Sequence, residues 1–134
     1  MIVLLRVFFA LVLCSMLAVT GWAGAQVPLW AIPGEVGGHP WFIATLFDAY
    51  WGFLTFYVWQ WYKEPAWGAR ALWFIAILLL GNIAMAVYGL IVTLRLPTSA
   101  TAQEVLLRGQ PVPTLVPLGL IGALLAVAGI ASVL

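Results

Sequence analysis

The side chains best suited to chemistry in this chain lie inside apolar stretches. Asp48 is the one carboxylate in segment 41–62, WFIATLFDAYWGFLTFYVWQWY, and Asn82 lies in the middle of another apolar segment, 71–94. A carboxylate at the centre of a membrane helix costs roughly 2.5–3.5 kcal/mol on insertion scales, so it is expected to be protonated, paired or hydrated. We expect Asn82 to be its hydrogen-bonding partner, because the two residues have similar depth in antiparallel helices.

The helical face that carries Asp48 also carries other polar or small residues. Spacings of three and four put these residues on one face of a helix over 41–62: Thr45, Asp48, Gly52 and Thr55. Three interpretations stay open for this face, namely hydrogen bonding between helices, handling of protons or ions by Asp48, and contact with a ligand or cofactor. The first is the expectation, because polar groups commonly join membrane helices.

The single histidine, His39, precedes Pro40 at the end of a Pro/Gly-rich loop, residues 23–40. An interfacial hydrogen bond is its simplest role, and ligation of a metal or of a pigment magnesium is the alternative. One histidine and one cysteine exclude a haem held by two histidines of one chain, a His-rich zinc site and an internal disulfide. We therefore expect no metal site and no intrinsic cofactor, while contact with a lipid, a quinone or a pigment stays open.

Composition defines the class of protein. The chain has 134 residues, 66% hydrophobic and only 7% charged, whereas charged residues make up about 25% of a soluble domain. A net charge of +1 offers no basic surface for nucleic acid. The sequence contains no GxSxG, HExxH, Walker or Rossmann motif, and no nucleophile has a base partner in sequence. We predict an integral membrane protein that forms a single domain, 1–134, and is not an enzyme.

Hydrophobic runs of about 20 residues are long enough to cross a bilayer as helices. The sequence predicts an all-α fold with four transmembrane helices at 2–22, 41–62, 71–94 and 114–134. A cleaved signal peptide is the alternative for the first run, since small residues follow it at Ala23-Gly24-Ala25. Its apolar part is long and its start is weakly basic, so we expect it to be retained.

Two short polar segments connect these runs. Lys63-Glu64-Pro65 is expected to end the second helix in a turn. Thr101 and Glu104 have the spacing of a capping box, which predicts a short interfacial helix near 100–108.

Small residues in the last run indicate close packing against another helix. They are Gly119, Gly122, Ala126 and Gly129. A similar stripe lies in the first helix, so we expect a partner protein to dock on the first and fourth helices.

The placement of Lys and Arg favours a cytoplasmic N-terminus in a bacterial inner membrane. Arg6, Lys63 and Arg70 would then be cytoplasmic, and the loop 23–40 has no basic residue. Four crossings would put segment 97–113 on the far side and return the C-terminus to the cytoplasm.

Two stretches resemble a known family: PWFIATLFDAYWGFLTFYVWQWYKEPAWGARALW and LLLGNIAMAVY. They are similar to small bacterial multi-pass membrane proteins that are classed only as a domain of unknown function. The resemblance covers about residues 1–108, and its motif positions include Asp48, Gly52, Lys63, Glu64 and Asn82. It implies a membrane fold without supplying an activity, and it leaves the run 114–134 as an extension.

The expected function follows from two features of the sequence. Little of the chain lies outside the predicted membrane helices, and two of these helices carry stripes of small residues. We predict a non-catalytic accessory, structural or assembly subunit that packs in the bilayer against a larger membrane complex, with a photosynthetic or respiratory assembly as the natural host. The alternative is a small homo-oligomeric transporter or proton-coupled carrier that uses Asp48.

Overall fold

The protein is all-helical in a computed structural model that describes residues 1–131, and side chains as far as residue 129. No strand occurs in that range. The helices are, in chain order, α1 (Ile2–Gln26), α2 (Gly34–Gly37), α3 (Pro40–Lys63), α4 (Trp67–Leu80), α5 (Asn82–Leu94), α6 (Ala102–Leu107) and α7 (Leu115–Ala131), with a 3₁₀ turn at Leu29–Ala31. The last three residues of the predicted run 114–134 lie outside the described residues.

Local sequence explains where α3 and α6 begin and end. Pro40 occupies the first turn of α3, where its missing N–H costs nothing. The helix ends at Lys63, before Pro65, as predicted. The predicted capping box is confirmed at α6, where the Thr101 hydroxyl accepts from the Glu104 N–H and the Glu104 carboxylate accepts from the Thr101 N–H.

Helices α4 and α5 form a hairpin that reverses at Gly81. The rings of Trp73 and Tyr88 lie 5.0 Å apart between centroids, whereas 15 residues of straight helix would separate them by about 22 Å. Gly81 has φ +52°, a region that residues with a Cβ rarely adopt. A Cβ at this position would also lie 2.5 Å from Cζ of Phe53. Glycine is therefore required here for the turn and for the packing.

The prediction of one straight span over 71–94 is wrong. The segment is divided into a 14-residue and a 13-residue helix, each about 20 Å long at ~1.5 Å per residue.

Both arms of the hairpin contact α3. Its first arm runs antiparallel to α3, with the Tyr57 hydroxyl donating to the Arg70 carbonyl at 3.0 Å. Its second arm runs parallel to α3, since Phe53 approaches Gly81 and Trp59 contacts Tyr88.

Helix α1 packs antiparallel against the second arm of the hairpin. Phe9 lies where a side chain at Gly89 would be, 2.5 Å from a Cβ built there. Arg6 donates to the carbonyl oxygens of Thr93, at 3.2 and 2.9 Å, and of Leu96, at 2.7 Å. The start of α1 is thereby joined to the end of α5.

We call the end of the bundle formed by residues 1–6, 63–70 and 93–113 the polar end, and the opposite end, with the loop 27–39, the apolar end. The prediction that 97–113 lies on the opposite side from Lys63 is wrong, because the Lys63 ammonium donates to the Val105 carbonyl. The hairpin returns the chain to the end from which it left. All five basic residues lie at the polar end: Arg6, Lys63, Arg70, Arg95 and Arg108.

The core lies between α3, the hairpin and the start of α7. Its buried members are Trp73, Ala76, Ile77, Ala84, Tyr88, Val92 and Val112. Val116, Leu120 and Ile121 pack against it from α7. This helix leads away from the polar end beside α4, so the run predicted at 114–134 contributes to the common core.

Within the described residues, only α1 combines the length and the hydropathy needed to cross a membrane. An N-terminal helix of this kind is typical of a membrane span and of a signal sequence. Helices α4, α5 and α7 are apolar but shorter. The all-helical fold is thus as predicted, but of the four predicted membrane spans only the first corresponds to a helix that meets this criterion among the described residues.

Candidate functional site

Asp48 and Asn82, the predicted intramembrane pair, both lie on the surface of the chain. Neither side chain makes a hydrogen bond to another residue of the described range. Packing decides their orientation: the aromatic face of α3, with Phe53 and Phe56, turns toward the hairpin. Asp48 is on another side of α3, and Asn82 follows the reversal at Gly81. The similar depth predicted for Asp48 and Asn82 therefore does not bring their side chains together.

The residues predicted to support Asp48 also lie on the exposed side of α3. Thr45 and Thr55 donate to carbonyls of their own helix, those of Trp41 at 2.8 Å and Trp51 at 2.9 Å. Gly52 has open space around its Cβ position. The polar face of α3 is consequently available to a neighbour from outside the chain.

His39 has a structural role at the N-terminus of α3. Its Nδ1 accepts from the Trp41 N–H at 3.3 Å, and the residue is exposed. The predicted packing residues of α7 are exposed: Gly119, Gly122, Ala126 and Gly129. Space is open at the Cβ positions of the three glycines.

The densest polar arrangement lies at the C-terminus of α3 and was missed in the prediction of site residues. Gln60 and Glu64 are fully buried, and Lys63 is 1% exposed. Gln60 and Glu64 are four residues apart, so they share one face of α3. We call Gln60, Lys63, Glu64, Trp73, Tyr88 and Gln110 the buried polar cluster.

Lys63 holds α6 against α3. Its ammonium donates to the Val105 carbonyl and lies 4.9 Å from the centroid of the Trp59 ring, a cation–π distance. The Trp59 indole donates to the Leu106 carbonyl at 3.1 Å. Burial lowers the pKa of Lys63, while the neighbouring Glu64 charge acts in the opposite direction.

Glu64 holds the segment between α6 and α7. Its Oε1 accepts from the Val112 N–H at 3.0 Å, whereas its Oε2 has no hydrogen-bond partner in the described chain. Burial raises the pKa of Glu64, and the Val112 N–H, Tyr88, Arg95 and Lys63 act against this rise. The Tyr88 hydroxyl is near this carboxyl but forms no hydrogen bond of regular geometry with it.

Two other cations of the polar end, Arg70 and Arg95, are engaged with backbone oxygens. Arg70 donates to the Glu64 carbonyl at 2.7 Å and lies 4.6 Å from the Trp61 ring centroid. Arg95 donates to the Pro111 carbonyl at 2.7 Å. The Glu64 carboxyl is thus buried near cations whose hydrogen bonds go elsewhere.

A signal for the cluster was present in the sequence, in part. Lys63 and Glu64 follow an apolar run, and Gln60 lies one turn before Glu64. Tyr88 and Gln110 could not be added from the sequence, because only the hairpin brings them to the end of α3.

The chemistry available here is hydrogen bonding and proton binding. The cluster combines one carboxyl with amide, indole and phenol groups. No set of three or more His, Cys, Asp or Glu side chains that could hold a metal ion occurs among the residues described.

The fold and this site define an all-helical, strongly apolar protein with its basic residues at one end. The chain belongs to the family described as "Protein of unknown function (DUF1475)", whose model matches residues 6–109. The match agrees with the extent of the expected resemblance, and it ends before α7. No curated protein and no solved structure matches the chain.

Proposed function

We propose that the protein is a non-catalytic membrane protein that packs, as an accessory or assembly subunit, against a larger complex of the bacterial cytoplasmic membrane. In this arrangement α1, the 41–62 stretch of α3, and α7 cross the bilayer. The α4–α5 hairpin enters it from the polar end and returns. Its arms of about 20 Å are too short for the hydrocarbon core of about 30 Å.

The distribution of charge supports a cytoplasmic polar end. All five basic residues lie there, which fits the bias of Lys and Arg toward the cytoplasm. With three crossings the start of α1 is cytoplasmic and the end of α7 is on the far side. This revises the C-terminal location expected from four crossings.

The contacts of α1 support its retention as a membrane helix. Arg6 makes two hydrogen bonds to the Thr93 carbonyl at the end of α5 and one to the Leu96 carbonyl just after it. Ile2 is fully buried in a cluster with Leu96, Ala100 and Val105. Removal of α1 as a signal peptide would expose this cluster and the two carbonyls that Arg6 occupies.

The observation that carries the proposal is the position of Asp48. It is exposed, without a partner in the described chain, on a helix whose other exposed residues include Phe47, Trp51 and Val58. A carboxylate facing lipid near the centre of a bilayer costs several kcal/mol, and polar groups on membrane helices usually face protein or water. A partner helix placed along Asp48 and the open surface of Gly52 would supply that environment.

Site-specific photo-crosslinking in native membranes tests this interface. A photoreactive amino acid at Thr55, on the Asp48 side of α3, is expected to give one crosslinked product of constant mass. The same amino acid at Ile75, exposed on α4, is the control and is expected to give none. Mass spectrometry of the product, together with purification in mild detergent, identifies the partner.

The outcomes separate the proposal from its alternative. A heterologous membrane protein crosslinked at Thr55 and co-purified in fixed proportion supports an accessory subunit. Crosslinking only to a second copy of the chain, with a pure homo-oligomer in detergent, overturns it in favour of the oligomeric carrier centred on Asp48.

A further inference from the structure

The buried polar cluster contains several polar atoms that have no hydrogen-bond partner in the described chain. They are Gln60 Oε1 and Nε2, Glu64 Oε2, Trp73 Nε1, the Tyr88 hydroxyl and Gln110 Oε1. Tyr88 connects two of these residues, because its ring centroid lies 5.0 Å from that of Trp73 and its hydroxyl is near Glu64. Gln60 lies one turn before Glu64 on the same face of α3.

A folded chain does not leave such groups without partners. Each buried donor or acceptor without a hydrogen bond costs about 1–3 kcal/mol, so six of them would cost about as much as a whole domain's net stability of 5–15 kcal/mol. Donors and acceptors are balanced here: the Gln60 amide, Trp73 indole and Tyr88 hydroxyl donate, and the carbonyl and carboxyl oxygens accept. Water serves both kinds of group, whereas a cation would leave the donors unsatisfied.

Glu64 is the one carboxyl of the cluster, and the charges that face it are engaged elsewhere. From α3, Lys63 donates to the Val105 carbonyl. From α4, Arg70 donates to the backbone carbonyl of Glu64. From the end of α5, Arg95 donates to the Pro111 carbonyl. Only the Val112 N–H bonds the carboxyl directly, at one of its two oxygens.

We propose that the buried polar cluster is a hydrated proton-binding site, in which ordered water molecules bridge the unpartnered groups and Glu64 carries the exchangeable proton. Protonation removes the cost of a buried charge and provides an O–H donor for Gln60, Gln110 or water. The site is independent of the proposed interface, because Asp48 lies on the outer surface of α3. Glu64 lies directly before the exposed residues Pro65 and Ala66.

Infrared spectroscopy of the full-length chain in detergent tests the proton site. The carbonyl stretch of a protonated carboxyl is followed against pH in the parent protein and in Glu64→Gln. We expect a component that titrates above the ordinary glutamate range and is absent from Glu64→Gln. The matched control is Glu35→Gln, which changes an exposed carboxyl at the apolar end and should retain this component. A spectrum without the component in the parent protein, or with it in Glu64→Gln, overturns the proposal.

Tyr88→Phe tests the site without removing the carboxyl. The Tyr88 hydroxyl near Glu64 lowers the pKa of that carboxyl, so its removal should raise the midpoint of the carboxyl component relative to the parent protein. Tyr62→Phe, at an exposed tyrosine, is the control and should leave the midpoint unchanged. An unchanged midpoint in Tyr88→Phe contradicts the assignment of the proton to this cluster.

Deuterium exchange tests the water. A hydrated carboxyl exchanges its proton within the mixing time, so its infrared band should shift at once after transfer to D₂O. Gln60→Leu removes two of the groups that hold water and should slow this exchange at least tenfold. A band that stays unshifted for hours in the parent protein would show a dry carboxyl and exclude the hydrated site.

Discussion

The polar end and the apolar end of the bundle are stabilised by different kinds of contact. At the polar end, side chains reach backbone carbonyls far away in sequence, as Arg6 does at Thr93 and Lys63 at Val105. Toward the apolar end the side-chain hydrogen bonds are mostly local, such as Thr45 to the Trp41 carbonyl, and the one long-range bond among the described residues there, from the Tyr50 hydroxyl to the Leu78 carbonyl, is long at 3.5 Å. The second half of α1 and the first half of α3 have no buried residue.

This difference indicates that the chain specifies its own tertiary structure at the polar end and depends on its surroundings at the apolar end. Side chains that donate to the carbonyls of other segments hold α1, α3, α5 and α6 in one arrangement. Exposed apolar helices, in contrast, must be covered by lipid or by another protein. The following experiments test the two halves of this comparison, in order of decreasing expected effect.

Accessibility of engineered cysteines tests which segments share an end. In a Cys14→Ser background, a membrane-impermeant maleimide should label Glu35→Cys in intact cells, because the proposed topology places the loop 27–39 on the far side. Ser99→Cys, at the polar end, should be labelled only after permeabilisation. The straight four-helix topology predicts labelling at both sites, so labelling of Ser99→Cys in intact cells would contradict the hairpin.

Substitution of Gly81 by alanine should damage the hairpin. The positive φ is strained for alanine and its Cβ would contact Phe53, so we expect a loss of stability on the order of 1–3 kcal/mol. Gly52→Ala is the matched control, since Gly52 lies within α3 in open space and alanine is favoured in a helix by about 0.5–1 kcal/mol. Thermal unfolding in detergent, followed by circular dichroism, measures both. Equal stability of the two variants would show that the reversal at Gly81 is not required.

Replacement of Arg6 by leucine should loosen α1 from α5. The hydrogen bonds to Thr93 and Leu96 involve a charged donor, for which we expect a loss of about 1.5–3 kcal/mol. Arg6→Lys should recover only part, because an ammonium lacks the planar fork of donors. Arg108→Leu removes an exposed cation from the same end and is the control. Unfolding in increasing SDS gives the comparison, and equal effects of the two leucine variants would exclude a specific role of Arg6.

Loss of the α6 cap should have the smallest effect. Thr101→Ala removes the acceptor for the Glu104 N–H and should destabilise α6 by about 1 kcal/mol. The N–H and the hydroxyl of Thr101 both donate to the Glu104 carboxylate and lower its pKa. Thr101→Ala removes the hydroxyl, so it should raise the pKa of Glu104. Hydrogen exchange of residues 102–107 measures the first effect, with Thr98→Ala as control. Faster exchange in both variants alike would show that the cap is not the cause.

Some features follow from local sequence. Pro40 and Pro65 bound α3, and the spacing of Thr101 and Glu104 gives the capping box of α6. The apolar character of the long runs follows from composition alone. These features need only a few neighbouring residues, because a cap or a proline acts on the backbone beside it.

The hairpin could not be predicted, although Gly81 was visible in LLLGNIAM. A glycine within an apolar helix costs only about 1 kcal/mol, so one glycine does not distinguish a continuous helix from a reversal. The reversal depends on contacts that are distant in sequence, namely Phe53 at Gly81, Phe9 at Gly89 and Arg6 at the Thr93 carbonyl. The position of Asp48 on the outer surface of α3 has the same origin, since packing against the hairpin selects which side of α3 is buried.

The sequence by itself determined which residues are charged and which segments are helical and apolar. The tertiary structure decided which end of the bundle each charge occupies. In a bundle of straight helices, each helix carries the chain from one end of the bundle to the other. If one predicted helix instead reverses halfway, every later residue lies at the opposite end from the one predicted. Arg95 and Arg108 are for this reason at the same end as Arg6, Lys63 and Arg70, and Glu64 meets Tyr88 and Val112 in the buried polar cluster.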